Sequence, residues 1–171
     1  MRTRIALATC ACTLALVSNS YAEEGLFIAK LAGGVSSAEN DTSDPGGMIT
    51  GTVDLAISER TGPVAGTSIV LNDRYDTIGL HLGIKHILRE RTWTRLYVFA
   101  APEILFIWDR ERGGGASRDL ALHAGIGYEY LMMWGLGLVF EIKGSLPAGL
   151  GETERYRAAS AGATMGLFTE F

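Results

Sequence analysis

Cysteine and positive charge are both scarce in this chain. Its 171 residues include two cysteines, Cys10 and Cys12, both near the amino terminus. Once the segment that holds them is removed, the remaining chain has no thiol, which excludes disulfides and thiolate metal sites. Lysine and arginine together number 15 against 19 acidic residues, for a formal net charge of −4. An acidic balance argues against a nucleic-acid partner.

The amino-terminal segment has the layout of a secretory signal peptide. Two arginines precede an apolar run over residues 5–17, and the small residues of "SYA" follow a short polar stretch. This pattern predicts a signal peptide, residues 1–22, cleaved after Ala22, and one mature domain, residues 23–171. The run falls short of the roughly 20 residues that a membrane-spanning helix needs. A lipoprotein signal ending at Cys12 is the alternative, but the apolar run ahead of it would be very short.

Long apolar runs are missing from the mature part of the chain, and proline is rare. No apolar stretch there approaches about 18 residues, so no membrane-spanning helix is expected. The chain has 22 glycines and only four prolines. Apolar residues instead alternate with polar or small ones in eight segments, and a period of two is typical of β-strands. These segments cover about 26–35, 48–58, 64–71, 77–88, 95–108, 119–130, 136–146 and a last strand that ends at Phe171.

The connections between the segments differ systematically in length. The stretches 36–47, 109–118 and 147–155 are long and polar, the connection after the third segment is intermediate, and the connections between these are short. Together with an even number of strands, this asymmetry is typical of transmembrane barrels. A soluble β-sandwich is the alternative for an exported all-β chain, and the two folds differ in which strand face is apolar.

The polar face of the strands is sparse and made mostly of glycine, alanine and threonine. A few charged or titratable residues interrupt it, with lysines and carboxylates in near balance. Such a face suits a crowded polar interior better than a solvent-exposed sheet. Because an unpaired buried charge costs several kcal/mol, we expect these residues to form an ion-pair network across the barrel. They are Lys30, Asp54, His81, Lys85, Glu103, His123, Glu129, Glu141 and Lys143.

The opposite face is apolar and carries no charge in the middle of the better-defined strands. Aromatic residues gather near the predicted strand ends, where amphipathic rings favour a membrane interface. We expect them to form an aromatic girdle. These features favour an eight-stranded antiparallel transmembrane β-barrel over the sandwich. The predicted girdle residues are Phe27, Trp93, Trp108, Tyr128, Tyr130 and Trp134.

The last strand runs to the final residue, so it needs a partner on both sides. Its terminal Phe171, with Met165 and Leu167 on the same face, resembles the carboxy-terminal assembly signal of bacterial outer-membrane proteins. The hairpin "DLALHAGIGYEY" followed by "WGLGLVFEIKG" is similar to those of the eight-stranded OmpA/OmpX-type barrels. The resemblance implies location in the outer membrane and contact with its lipids and lipopolysaccharide. It also implies a monomer inserted by the barrel assembly machinery, which would recognise the last strand.

The sequence indicates a non-enzymatic role, structural or in surface interaction through the loops. About eight strands enclose an interior that side chains fill, so a wide pore is not expected. The loop 36–47 is acidic, with Glu39, Asp41 and Asp44, but these lack the ordered spacing of a calcium site. We therefore predict no metal, no cofactor and no catalytic residue. Simple solvation of exposed loops also explains their charges.

Two alternative functions remain open at this stage. An enzyme acting on lipid A would need a serine activated by a histidine, and a family of such deacylases carries histidine and serine two positions apart on one strand. This chain reads "HLG", "HIL" and "HAG" from its three histidines, so that motif is missing. The other alternative is a narrow channel lined by the interior lysines and carboxylates. The same residues would close the barrel if they pair.

Overall fold

The computed structural model describes residues 26–38, 41–56, 60–71, 75–109, 117–148 and 160–171. The predicted signal peptide, residues 1–22, lies outside them. The described residues form eight β-strands, joined in chain order by hairpin connections. The strands are β1 (Leu26–Ala38), β2 (Asp41–Ala56), β3 (Thr61–Leu71), β4 (Tyr75–Arg91), β5 (Thr94–Asp109), β6 (Ser117–Met133), β7 (Leu136–Pro147) and β8 (Ser160–Glu170).

The strands close into a single antiparallel barrel in which each strand pairs with its sequence neighbours and β8 pairs with β1. The closing ladder runs from the pair Ser160 with Ala38 to the pair Glu170 with Ile28. Beyond it, the backbone N–H of Phe171 donates to Phe27 O at 2.9 Å, and Phe27 N–H donates to Phe171 O at 3.3 Å. The prediction of an eight-stranded closed barrel is confirmed, and the final residue is held by backbone hydrogen bonds.

The two ends of the barrel differ in their connections. At one end, called the turn end, lie Phe27, Phe171 and two tight turns, Thr92–Trp93 and Trp134–Gly135. Both residues of the second turn have positive φ, 53° for Trp134 and 75° for Gly135, as the two-residue hairpin turns of type I′ require. The opposite end, called the loop end, carries the connections that contain residues 39–40, 72–74, 110–116 and 149–159.

One predicted loop is wrong in its extent. The sequence pattern predicts a long loop over 36–47, but β1 continues to Ala38 and β2 already begins at Asp41. Ser36 pairs with Gly46, and Ala38 pairs with Asp41. The strand boundaries were predicted from the alternation of apolar residues. That alternation ends near residue 35, although the paired strands extend further. Backbone pairing does not need apolar side chains, so the strands extend past that point.

The apolar face of the strands points outward. Large apolar side chains are exposed around the barrel, among them Leu82, Ile84, Ile142 and Met165. The polar face points inward, and eight charged strand residues, among them Lys30 and Glu103, are buried there. This is the reverse of a soluble sandwich, in which apolar residues fill the core. Within the described residues no helix is long and apolar enough to cross a membrane.

Inward-facing glycines provide the room for the larger interior side chains. A Cβ at Gly79 would overlap the carboxylate of Glu103 and the hydroxyl of Ser68, and a Cβ at Gly127 would overlap the ring of Tyr97. The interior therefore alternates glycine with bulky polar residues on neighbouring strands. This arrangement explains why the polar face of the sequence consists of so many small residues with a few charges between them.

Candidate functional site

The structure places all nine predicted interior residues inside the barrel. Lys30, Asp54, His81, Lys85, Glu103, His123, Glu129, Glu141 and Lys143 are buried. Each follows from the period-two alternation of its strand, because successive side chains of a strand point to opposite faces. The nine residues do not form one continuous network but separate into two clusters at different heights.

The first cluster is a ring of four charges, formed by Lys30 (β1), Asp54 (β2), Lys85 (β4) and Glu129 (β6). Asp54 Oδ2 lies 2.7 Å from the Nζ atoms of both lysines. Glu129 Oε1 lies 2.7 Å from Lys30 Nζ and 2.6 Å from Lys85 Nζ. Each ammonium is thus shared by two carboxylates, and each carboxylate by two ammoniums. The ring connects strands that are not neighbours in the barrel wall, such as β1 with β4 and β6.

Tyr97, on β5, packs on this four-charge ring and was not among the predicted site residues. The two lysine Nζ atoms lie 4.2 Å and 4.1 Å from the centre of its ring, within the range of cation–π attraction. Lys30 Nζ donates to the Tyr97 hydroxyl at 3.1 Å, and that hydroxyl donates to Glu141 Oε1 at 2.6 Å. The alternation that places Glu103 inward also places Tyr97 inward, so the signal for it was present in the sequence.

The remaining lysine of the interior extends the cluster toward β7 and β2. Lys143 Nζ lies 3.1 Å from Glu141 Oε2 and donates to Thr50 Oγ1 at 3.2 Å. Through Tyr97 and Glu141, the four-charge ring is therefore continuous with Lys143. Charges of opposite sign pair throughout this cluster, which limits the cost of burying them.

Arg95 adds a cation at the turn end that sequence reasoning also missed. Its Nε atom lies 2.8 Å from Glu90 Oε1, its Nη1 atom contacts Glu170, and the same Nη1 lies 3.8 Å from Glu129 Oε2. Arg95 thus joins β4, β6 and β8 below the four-charge ring. Arg95 is the first residue of the predicted strand 95–108. Alternation does not assign a face reliably at a strand boundary, so the sequence did not identify Arg95 as an interior residue.

The second cluster contains the two interior histidines and Glu103. The rings of His81 and His123 stack with their centres 4.9 Å apart, and their Nδ1 atoms lie 4.0 Å and 3.6 Å from the Glu103 carboxylate. The hydroxyls of Ser68 and Ser145 donate to Glu103 at 2.8 Å and 3.1 Å. These serines are thus bound to the acid and not to a histidine.

The second cluster does not include Glu129, although the sequence places that residue inside the barrel as well. His81, His123 and Glu103 do meet, but Glu129 belongs to the four-charge ring. Neither imidazole Nδ1 has a hydrogen-bond partner, so Glu103 lies near both rings without accepting a hydrogen bond from either Nδ1. In the part of the chain that the structure describes, no three His, Cys, Asp or Glu residues are arranged to hold a metal ion.

Little space remains between the two clusters. A void of about 10 Å³ is lined by residues of both, including Tyr97, Phe99, His123 and Lys143, which is room for about one water molecule. Phe99 further narrows this level, since its ring lies 5.4 Å from that of His123. At this level of the barrel the interior is therefore packed with side chains.

The predicted girdle residues occupy the outside and both ends of the barrel. Trp93 and Trp134 are exposed in the two tight turns of the turn end, and Trp134 is 93% exposed. Tyr128 and Tyr130 are exposed on the outer face of β6 near the same end. Phe27 lies at the start of β1 and Trp108 at the loop end of β5, where it stacks on Phe106.

The residues of the predicted assembly signal lie on the outside of the barrel, on β8 and at the residue that follows it. Met165, Leu167 and Phe171 are all exposed.

The structure describes the predicted functional loops only in part. The described residues leave out 110–116 of the loop 109–118 and 149–155 of the loop 147–155. They also leave out Glu39 and Asn40 of the loop 36–47.

Comparison with known proteins identifies the fold. No protein-family model matches the chain, and no curated protein matches it. Among solved structures, Neisserial surface protein A is 12% identical with a TM-score of 0.69, covering 87% of this chain and 98% of that one. The N-terminal β-barrel domain of Pseudomonas aeruginosa OprF is 11% identical, with a TM-score of 0.66 and coverage of 87% and 98%.

A third structure, the attachment invasion locus protein Ail of Yersinia pestis, is 9% identical with a TM-score of 0.53, covering 86% of this chain and 97% of that one. At such identities the likeness concerns the fold and not the activity. The OmpA/OmpX-type resemblance seen in the sequence is confirmed at that level. The chain has the all-β fold of the small, closed, eight-stranded outer-membrane β-barrels.

Proposed function

We propose that this protein is a monomeric barrel of the bacterial outer membrane with a closed interior, acting as a structural or surface-interaction protein through its exposed loops. The observation that carries the proposal is the four-charge ring of Lys30, Asp54, Lys85 and Glu129. Its contacts of 2.6–2.7 Å link β1, β2, β4 and β6 across the interior of the barrel. Since the interior is occupied, the outer wall and the ends are the surfaces left for function.

Insertion in a membrane is supported by the outer wall. Its large exposed apolar residues would be costly in water but suit a hydrocarbon environment. The exposed Trp93, Trp134, Tyr128 and Tyr130 match the interfacial preference of amphipathic rings. With the turn end on the periplasmic side, the longer polar connections face outward from the cell, as in other transmembrane barrels.

A charged ligand at the loop end is supported by one structural neighbour and by the composition of the loops. Ail has been crystallised with the heparin analogue sucrose octasulfate, and that structure is 8% identical to this chain with a TM-score of 0.58. The loops 109–118 and 147–155 of this chain mix arginines with carboxylates. They suit charged surface ligands such as lipopolysaccharide phosphates better than apolar ones.

The first test is the mobility of outer-membrane fractions on gels, with and without boiling. A closed barrel in detergent migrates differently until heated, so we expect a heat-dependent shift. Deleting Phe171 should reduce the shifted fraction, because it removes both the terminal backbone pair with Phe27 and the proposed signal for the assembly machinery. A water-soluble protein whose band does not shift would refute the membrane location.

A second test separates the closed barrel from the two alternatives. Purified protein in planar bilayers should show no conductance. A steady conductance that changes when Lys85 or Glu129 is neutralised would instead establish a channel. Overproduction should leave lipid A unchanged. An altered lipid A that reverts in a His123→Ala variant would establish an enzyme.

A further inference from the structure

Near the turn end of strand β4, the set of residues that points outward changes from even-numbered to odd-numbered positions. The pairing with β5 runs regularly until Ile87 opposite Tyr97 and then resumes at Arg89 opposite Leu96, so Leu88 is an extra residue in a β-bulge. A bulge inserts one residue on one strand and re-aims the side chains that follow. Without it, the odd-numbered residues of β4 that point inward, such as His81 and Lys85, would continue with Arg89 and Arg91.

The bulge turns the two arginines outward. Directly opposite residues of an antiparallel pair lie on the same face. Arg89 is opposite Leu96 and Arg91 is opposite Thr94, two residues that alternate with the inward Arg95 and Tyr97. Both arginines are exposed. They therefore lie on the outer wall of the barrel at its turn end.

The acid between the two arginines points the other way. Glu90 is opposite Arg95 and binds its Nε at 2.8 Å, so its charge is directed to the interior side. The bulge thus separates two cations from the carboxylate that lies between them in the sequence. Arg89 and Arg91 therefore face outward, while Glu90 between them is paired with Arg95.

The surroundings of the pair have the character of a membrane interface. Above it on the outer wall are the exposed Leu82, Ile84 and Leu88. Across β5 the register continues from Leu96 to Tyr128 and from Thr94 to Tyr130, so each arginine shares a cross-strand row with one exposed tyrosine. Arginine extends its charged group from apolar surface toward the interface, where tyrosine also prefers to lie.

We propose that Arg89 and Arg91 form a binding site for the phosphate of anionic phospholipids in the leaflet at the turn end. Arg presents a fork of donors that matches phosphate oxygens, and the apolar wall above accommodates the acyl chains. The inference rests on the proposed membrane insertion. A zwitterionic phospholipid carries the same phosphate with a compensating cation, so the site should select lipids with net negative charge.

The experiment uses Trp93, in the turn that follows Arg91, as a fluorescent reporter. The chain has three tryptophans, so a Trp108→Phe/Trp134→Phe background leaves Trp93 alone. The protein is reconstituted in vesicles of phosphatidylcholine mixed with phosphatidylglycerol, one of the two lipids being brominated to quench tryptophan. The quenching gives the relative affinity of the two lipids near Trp93. We expect phosphatidylglycerol to be favoured by about five-fold for each arginine, with the preference falling as salt is added.

The double variant Arg89→Gln/Arg91→Gln should bring the preference close to one. Arg89→Lys/Arg91→Lys keeps the charges and should retain a preference, which serves as a second variant if the glutamines impair folding. Arg118→Gln is the matched control, since Arg118 is exposed on β6 at the loop end, and it should leave the preference unchanged. Equal quenching by both lipids in the parent, or an unchanged preference in the glutamine variant, would overturn the site. A heat-dependent gel shift measured in parallel reports membrane insertion separately.

Discussion

The hydroxyl of Tyr97 joins the four-charge ring to the Glu141–Lys143 pair, and Tyr97→Phe removes that single group. The side chain is 1% exposed, so bulk solvent does not reach the hydroxyl. Phenylalanine keeps the ring over the two ammonium groups, which leaves the cation–π contacts at 4.2 Å and 4.1 Å in place. The substitution therefore isolates two hydrogen bonds.

The two bonds contribute unequally. Lys30 Nζ keeps Asp54 and Glu129 at 2.7 Å, so its lost bond to the hydroxyl costs little. Glu141 Oε1 loses its 2.6 Å donor and keeps the more distant ammonium of Lys30 at 3.9 Å, while Oε2 keeps Lys143 at 3.1 Å. Because a hydrogen bond to a charged group contributes about 1.5–3 kcal/mol, we expect the variant to lower the free energy of unfolding by about 2–3 kcal/mol.

The assay is reversible urea unfolding in lipid vesicles, followed by tryptophan fluorescence. Tyr128→Phe is the matched control, because the same atom is removed from a side chain that is 42% exposed on the outer wall. That control should change stability by less than about 0.5 kcal/mol. Equal stabilities of the two variants would refute the reasoning that the interior hydroxyl holds the charged cluster together.

Two further substitutions test the interior. Lys85→Met removes the shared partner of Asp54 and Glu129, at 2.7 Å and 2.6 Å. It should destabilise the barrel by about 3–5 kcal/mol in the same urea assay, with partial recovery in the Lys85→Met/Glu129→Gln double variant; no recovery would contradict the pairing. Gly79→Ala places a methyl group against Glu103 and Ser68 and should cost about 1–3 kcal/mol. Gly33→Ala, whose Cβ would meet its nearest atom at 3.9 Å, should be nearly neutral, and equal effects of the two alanines would argue against the tight interior.

Alternation along the strands determined most of what could be predicted about this protein. A period of two assigns each residue to one face, so it identified Lys30, Glu129 and the other interior charges without any tertiary information. Burial of charges then requires pairing, although alternation does not give the partners. Alternation gave the wrong strand ends where Ser36 pairs with Gly46, because the paired strands continue there without an apolar face.

Only the tertiary structure decided which interior residues meet. Strand stagger sets the height of each residue in the barrel, and a sequence carries no direct record of it. Stagger places Glu129 with Lys30 and Lys85 and leaves Glu103 with the histidines. A single extra residue in a bulge likewise turns Arg89 and Arg91 outward against the alternation. The sequence by itself determined the faces and the closed strand count, whereas register, which depends on backbone pairing between distant segments, determined the clusters.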